Sequence, residues 1–447
     1  MPVDIAFPLP KRSGGKTNEN MEENPPRGIS GAVRVFAFAE SCSLSNSGNK
    51  APPAAGDQDN VGGITSGVFL FHLPSGPVRQ DKREGFPGRE MAYTLFAMKP
   101  NSIRIALCVF FSALAFAQSG SFTVGTAVAA PGHKATGFLQ VPAGSDAATE
   151  IPVAVVQGTK PGPVLALVSG AHGTEYASVI AIEKLIQNID PNQVAGTVIL
   201  VPLVNVQSFL QKTPHVNPVD GKSMNRFYPG KADGTQTERA SLLITRQIVE
   251  RSDYLIDYHG GDLDENLRPY SYWPRSGNEK HDAVTRDMVL AFGLDHIIIW
   301  SDRPKDPNAS RYLDNTANTR GKPAIAVEAG YSGTVKAGDV DALVNGTLSV
   351  MRYLKMLPGA PTMLEHPVWI GKVDTIASEV TGIFYPLVER GTWVEAGMKV
   401  GYITDYFGKT LFEAKAPVSG VVLYICAVPS MKKDDTVANI GEVVKAP

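Results

Sequence analysis

The segment Ser169-Gly170-Ala171-His172-Gly173-Thr174-Glu175 constrains the fold more than any other, because a short apolar strand there turns directly into an amphipathic helix. The strand is Pro163 to Val168. The helix runs from Glu175 to about Ile189, with Val179, Ile180, Ile182, Leu185 and Ile186 at helical spacing. Residues i and i+3 in the first turn of a helix share a face, so the His172 imidazole and the Glu175 carboxylate can converge on one ion. Zinc takes this mixture of nitrogen and oxygen donors, and a catalytic site needs three protein ligands plus an open position. In a chain with 8 His, the pair alone equally suits an ordinary helix-start histidine and a solvated glutamate.

The candidate third ligand is His259, in Asp253-Tyr254-Leu255-Ile256-Asp257-Tyr258-His259-Gly260-Gly261. This short strand ends in a glycine pair, the kind of strand end where open α/β sheets place their sites. Side chains alternate along a strand, so Asp257 shares a face with His259 and can orient it from behind. The plainer alternative is a histidine that caps a strand. Asn225-Arg226 lies in the turn-rich stretch Asn217 to Gly230 and offers an amide and a guanidinium suited to gripping a substrate carboxylate. Pro323-Ala324-Ile325-Ala326-Val327 reads as a buried strand that delivers Glu328 just before Ala329-Gly330. An acidic residue in that position is costly to bury without a role.

Taken in order, His-x-x-Glu, Asn-Arg, His and a strand-terminal Glu resemble the succinylglutamate desuccinylase/aspartoacylase family, a branch of the zinc carboxypeptidase-like hydrolases. The likeness runs from about Val153 to the C-terminus. It implies an α/β catalytic domain over residues 118–360, with a zinc carboxypeptidase-like mixed sheet flanked by helices, and a small all-β barrel of barrel-sandwich-hybrid type over 365–447. It also implies one Zn2+ per chain on His172, Glu175 and His259. Asn225 and Arg226 would bind the substrate carboxylate, Glu328 would be general base and acid, and Arg226 could steady the developing oxyanion. The implied reaction is hydrolysis of the amide bond of a small-molecule N-acyl amino acid. One departure is notable: many members carry an additional Arg shortly before the Asp-Gly of the Asn-Arg loop, where this chain reads Lys212-Thr213-Pro214-His215. Specificity for an acidic substrate does not carry over with the rest.

The nearest alternative is a zinc carboxypeptidase acting on peptides or cell-wall peptides, which would use the same metal site and the same Asn-Arg grip. A non-catalytic metal-holding protein is a further one, disfavoured by Glu328. Arg268 and Arg311 fall in polar loops, where solvated arginines are expected and a part in substrate selection is the alternative.

After the helix expected at Val340 to Leu354, Pro358-Gly359-Ala360-Pro361 marks a linker. Beyond it, Trp369-Ile370, Gly382 to Leu387, Lys399 to Thr404 and Leu411 to Ala414 read as short strands between turns, and Ala416 to Val422 resembles a biotinyl/lipoyl-like barrel signature. A carrier function would place a prosthetic group on Lys409. The setting Asp405-Tyr406-Phe407-Gly408-Lys409-Thr410 lacks the usual surroundings of a modified lysine, which leaves the barrel as a wall for the active-site mouth.

The first 97 residues carry Pro-Pro, Gly-Gly and Ser-Gly punctuation with no sustained period and are expected to be disordered or untranslated. Met98-Lys99-Pro100-Asn101-Ser102-Ile103-Arg104 is a positive n-region before Ile105 to Leu114, and Ala115-Phe116-Ala117 supplies the small residues of a cleavage site ahead of Gln118. Residues 98–117 therefore read as a secretory signal, with translation starting at Met98 or Met91 and a secreted or periplasmic product that keeps no stable membrane anchor after cleavage. The mature chain would hold Cys426 alone, since Cys42 and Cys108 are lost, so no disulfide forms within one molecule. A net charge of −2 suggests no nucleic-acid partner.

Overall fold

The computed structural model describes residues 120–447. The segment 1–97, the expected signal over 98–117 and both Cys42 and Cys108 lie outside the described residues. Among those described, no helix is long and apolar enough to cross a membrane.

The strands fall largely into one mixed sheet of 13 strands. From one edge the order is His133–Val141, Thr149–Gln157, Ala195–Val201, Lys160–Ser169, Tyr254–His259, Ala324–Glu328, Tyr270–Pro274 and His296–Trp300. The central run Ala195–Val201, Lys160–Ser169, Tyr254–His259, Ala324–Glu328 is parallel throughout. Parallel strands are covered on both faces, which explains why these segments read as near-continuous apolar runs.

Alternation along Lys160–Ser169 divides the core. Leu165 and Leu167 join a cluster with Ala181, Ile182 and Leu185 of the helix Tyr176–Asn188, Met288 and Phe292 of the helix Glu279–Phe292, and Leu343 and Val350 of the helix Ala337–Tyr353. Ala166 and Val168 face the opposite way, into a cluster with Ile199, Ile244, Ile248 and Leu313. Each large side chain fully buried in this way contributes roughly 1.5–3 kcal/mol.

The same alternation places the chemistry. On Tyr254–His259, Ile256 and Tyr258 go into the helix-covered core, so Asp257 and His259 emerge on the other face. On Ala324–Glu328, Ile325 and Val327 go into that core, so Ala326 and Glu328 emerge beside them. Register pairs Ala326 with Asp257 and Glu328 with His259. Neighbouring strands lie about 4.8 Å apart, so the base candidate and the ligand candidate sit side by side where two parallel strands end.

Immediately past that point the two chains interlock through glycines. Gly260 (φ 122°) and Gly261 (φ 71°) lie against Ala329 and Gly330, and a Cβ at either would fall 2.4 Å from the Ala329 nitrogen or 2.3 Å from the Gly330 carbonyl carbon. Backbone cannot yield as a side chain can, so the Gly-Gly after His259 is a packing requirement as well as a turn.

Residues beyond 365 form all-β structure, but the sheet is continuous with the catalytic one. Val368–Ala377 pairs parallel to His296–Trp300, then Thr436–Val444, Gly420–Cys426 and Trp393–Val394 follow in antiparallel order. Glu265–Leu267 adds to Gly420–Cys426. A second, four-stranded sheet of Thr410–Lys415, Lys399–Thr404, Gly382–Pro386 and Ser430–Met431 packs on this extension around Phe384, Ile403, Leu423 and Ile440. The strand Thr436–Val444 was not anticipated from the sequence. Arg390 ties this region to the catalytic strand ends, donating from Nη1 to the Leu267 carbonyl and, at 3.0 Å, to the Gly330 carbonyl.

Candidate active site

The helix after the first motif starts at Tyr176, one residue later than expected, with Glu175 as its N-cap. His172 therefore lies outside the first helical turn, and a different device brings the pair together: a tight turn closed by the Glu175 N–H on the His172 carbonyl (3.3 Å). The result is the same convergence, with His172 Nδ1 2.7 Å from Glu175 Oε1. Glu175 Oε2 lies 3.1 Å from His259 Nδ1, so one buried carboxylate bridges two imidazoles from different segments. Ligand atoms of His172, Glu175 and His259 all lie within 4.8 Å of one another.

Burial disfavours the Glu175 charge, but the two histidines outweigh it and hold the carboxyl well below the usual range. For His259 the balance runs the other way round: burial opposes protonation, while Asp257 and Glu175 push it well upward. Two nitrogens and one carboxylate facing a common point, with negative charge in excess around them, suit a divalent cation.

Asp257 reaches His259 Nε2 at 3.2 Å and leaves its other carboxylate oxygen buried without a partner. Asn225 also meets this imidazole, with Nδ2 3.0 Å from His259 Nε2, while its Oδ1 accepts the Leu313 N–H (3.0 Å) and fixes which way the amide points. The amide is thus engaged with the histidine itself. The exposed Arg226 stands beside it, with Nη1 donating to the Asn225 carbonyl at 2.7 Å and its guanidinium 5.0 Å from the Tyr312 ring.

The loop carrying Asn225 and Arg226 is clamped onto the helix Gln236–Ile244. Asp220 accepts from the Thr237 N–H and hydroxyl at 2.9 Å each, and Lys222 donates to Glu238 at 2.8 Å. The Lys222 ammonium, reinforced by the Thr235 N–H against the effect of burial, lowers the Glu238 pKa from 4.5 to about 2. A carboxyl whose folded pKa lies below its unfolded value stabilises the fold above the unfolded pKa, and that contribution is lost as the pH falls through the folded one. Between pH 4.5 and pH 2, urea unfolding should therefore show a stability loss about 1–2 kcal/mol smaller in Glu238→Gln than in the unaltered chain.

Glu328 is half-buried at its strand end, register-paired with His259 on one side and Tyr270 on the other. Burial pushes its carboxyl well above the ordinary range; His259 opposes this, and Glu175, Glu265 and Asp257 add to it. A cation held among these carboxylates offsets that repulsion.

His172, Glu175, Asn225, Arg226, Asp257, His259 and Glu328 line one cleft of about 850 Å³, a size suited to small organic ligands. Its lining also includes groups that sequence reasoning did not single out. Arg303, Tyr312, Trp300 and Tyr272 form a basic and aromatic wall. Asp264, Glu265, Asp434 and Asp435 form an acidic one, with Tyr424 and Asn439 of the C-terminal strands beside it. His215, where the extra family arginine was missed, is held by Asp264 at 2.8 Å and Asp262 at 3.3 Å, which outweigh burial and raise its pKa to about 9. Glu265 is pushed up to about 8 by burial and by Glu175. Strand-end position was the available signal for Trp300, which ends His296–Trp300 as Glu328 ends its own strand, and for Arg303 just beyond it.

Arg311 is exposed as expected, and its backbone bridges to Tyr228. Arg268 differs from the expected solvated arginine: it is half-buried, pairing with Asp295 and lying 3.3 Å from His296 Nδ1. Neither is among the cleft-lining residues. Lys409 lies on an exposed turn where Asp405 accepts its N–H.

Comparison with known proteins bears on the same region. Residues 161–354 match the succinylglutamate desuccinylase/aspartoacylase catalytic domain. N-alpha-acetyl-L-2,4-diaminobutyric acid deacetylase of Halomonas elongata is 28% identical over 320 residues, 69% of this chain and 92% of that protein. The crystal structure of a succinylglutamate desuccinylase/aspartoacylase from Rhodobacter sphaeroides superimposes with a TM-score of 0.63 at 24% identity, covering 70% of this chain and 96% of that one. The product-bound ectoine utilization protein of Ruegeria pomeroyi gives 0.62 at 24% identity over 69% and 95%. These two share the fold. With the ordered motifs, residues 161–354 are identified as a catalytic domain of the succinylglutamate desuccinylase/aspartoacylase type, and the protein is an amidohydrolase.

Proposed function

We propose that the chain is a zinc-dependent deacylase that hydrolyses the amide bond of small N-acyl amino acids, with a preference for those bearing a side-chain amine. The observation that carries the reading is the register of two parallel strands, which sets Glu328 beside His259 on the cleft face with Glu175 and His172 next to it.

His172, Glu175 and His259 would hold the ion, supported by Asp257 and Asn225 behind His259. A zinc ion supplies Lewis acidity and lowers the pKa of water to about 7. Glu328 would take the proton from the attacking water and hand it to the leaving amine, a task suited to a carboxyl whose pKa its surroundings raise. Arg226 would hold the substrate carboxylate and face the developing oxyanion.

The amine preference rests on the acidic wall. Asp264 is balanced by the cationic His215 and Glu265 is held largely protonated at neutral pH, so it is Asp434 and Asp435 that set a negative potential that a substrate ammonium relieves and a second carboxylate worsens. The H. elongata relative is named for a diaminobutyrate derivative, which carries such an amine. C-terminal strands contribute to the cleft wall, which suits small substrates over polymers. With a panel of N-acetyl amino acids, kcat/KM should be highest for diaminobutyrate, ornithine or lysine derivatives. A preference for N-acetylaspartate or N-succinylglutamate would overturn the amine assignment, and cleavage of peptides alone would favour the carboxypeptidase alternative.

On the strength of residues Met98 to Ala117, we also place the mature enzyme in the periplasm or outside the cell. Its N-terminal sequence should then begin at Gln118, and an uncleaved cytoplasmic chain would contradict this.

A further inference from the structure

Arg303 is the most unusual cation in the cleft. Its side chain is only 9% exposed, yet it lines the cavity. Its guanidinium carbon lies 4.3 Å from the Trp300 ring centre, 4.5 Å from that of Tyr312 and 5.7 Å from that of Tyr272. An aromatic box of this kind fixes the plane of the guanidinium and strips it of water. One donor, Nη1, meets Asp314 at 2.7 Å, while Nε is buried with no partner. Burial pushes the Asp314 carboxyl up, and Arg303 opposes this, so the pair is an incompletely balanced one. A buried donor on a charged group left without a partner loses its water and gains nothing in return.

Tyr312 links this cation to Arg226. Its ring lies 5.0 Å from the Arg226 guanidinium and 4.5 Å from that of Arg303. The next residue, Leu313, donates its N–H to Asn225. Two guanidiniums on one phenol ring repel each other across the cleft wall, an arrangement that an anion shared between them stabilises.

We propose that Arg303 is a specificity-determining residue: the Arg226–Tyr312–Arg303 arrangement forms a two-cation subsite for the carboxylate of an N-acyl amino acid. This rests on the deacylase reading for the identity of the ligand, and binding without turnover tests it separately. In the Glu328→Gln chain loaded with zinc, calorimetry would compare an N-acetyl amino acid with its carboxamide, which lacks the anion. Arg303→Met should weaken the acid about 10- to 100-fold and leave the carboxamide nearly unchanged. Arg303→Lys keeps the charge without the fork and should fall between, which also guards against a methionine variant that fails to fold. Equal weakening of both ligands, or of neither, would overturn the proposal and leave Arg303 as a structural partner of Asp314. So would acid binding no tighter than carboxamide binding before any change at Arg303. Hydrolysis by the unaltered chain is read independently, so a failure of the deacylase reading is recognised as such.

Discussion

Replacing Glu328 with Gln should lower turnover about a hundredfold or more while the chain keeps its metal. The substitution is close to isosteric, and Glu328 is not one of the three clustered ligands, so the His172, Glu175 and His259 donors stay in place. The lost function is proton transfer: an amide side chain can neither accept the proton from water nor return it to the leaving amine. KM should change far less than kcat, because Arg226 and the aromatic wall are untouched. Steady-state kinetics together with metal analysis checks this. A variant that retains full turnover would remove Glu328 from the reaction, and one that loses its metal would recast it as a ligand.

Replacing His259 with Ala should abolish stable metal binding and reduce activity to background. His259 is buried at the end of a central strand, and its two nitrogens meet Glu175, Asp257 and Asn225. Without the imidazole, Glu175 and Asp257 are left as two buried carboxylates with a partner gone. Removing one member of a buried charged network costs about 3–5 kcal/mol, so a lower Tm is expected alongside the missing metal. Chelation of the unaltered chain should reproduce the loss of activity, and restored zinc should reverse it. Metal content by elemental analysis and Tm by calorimetry read the two effects separately. Full zinc occupancy in His259→Ala would show that the ion sits elsewhere.

The parts of this site that were legible in the sequence share one property: their meaning depends on short-range geometry. His172 and Glu175 are three residues apart at a strand–helix junction, and Asp257 and His259 are two apart on a strand, so local periodicity brings each pair together. Glu328 stood out because an acid ending an apolar strand needs a reason to be there. Even so, the first pair is closed by a turn and an N-cap in place of a helical turn, a distinction of one residue that spacing does not resolve.

What escaped notice is non-local. Arg303 stands in irregular chain, Tyr312 and Asp314 stand at the start of the six-residue helix Leu313–Asn318, and only the folded arrangement puts Arg303 in an aromatic box and Tyr312 against Arg226. His215 read as a missing arginine, and its pairing with Asp262 and Asp264 depends on residues almost fifty positions away. Most C-terminal strands were recognisable as strands, Thr436–Val444 excepted, but their joining to the catalytic sheet rests on the edge of His296–Trp300 accepting Val368–Ala377. Strand propensity identifies what can pair, and burial and register decide what does.

The most direct measurement is release of free amino acid from an N-acetyl amino acid by the purified, zinc-loaded chain, with Glu328→Gln measured at matched metal content. Steady release by the unaltered chain is expected, fastest with a side-chain amine, and about a hundredfold less from the variant. No release from a folded chain with one zinc bound, or equal release by both proteins, would contradict that expectation.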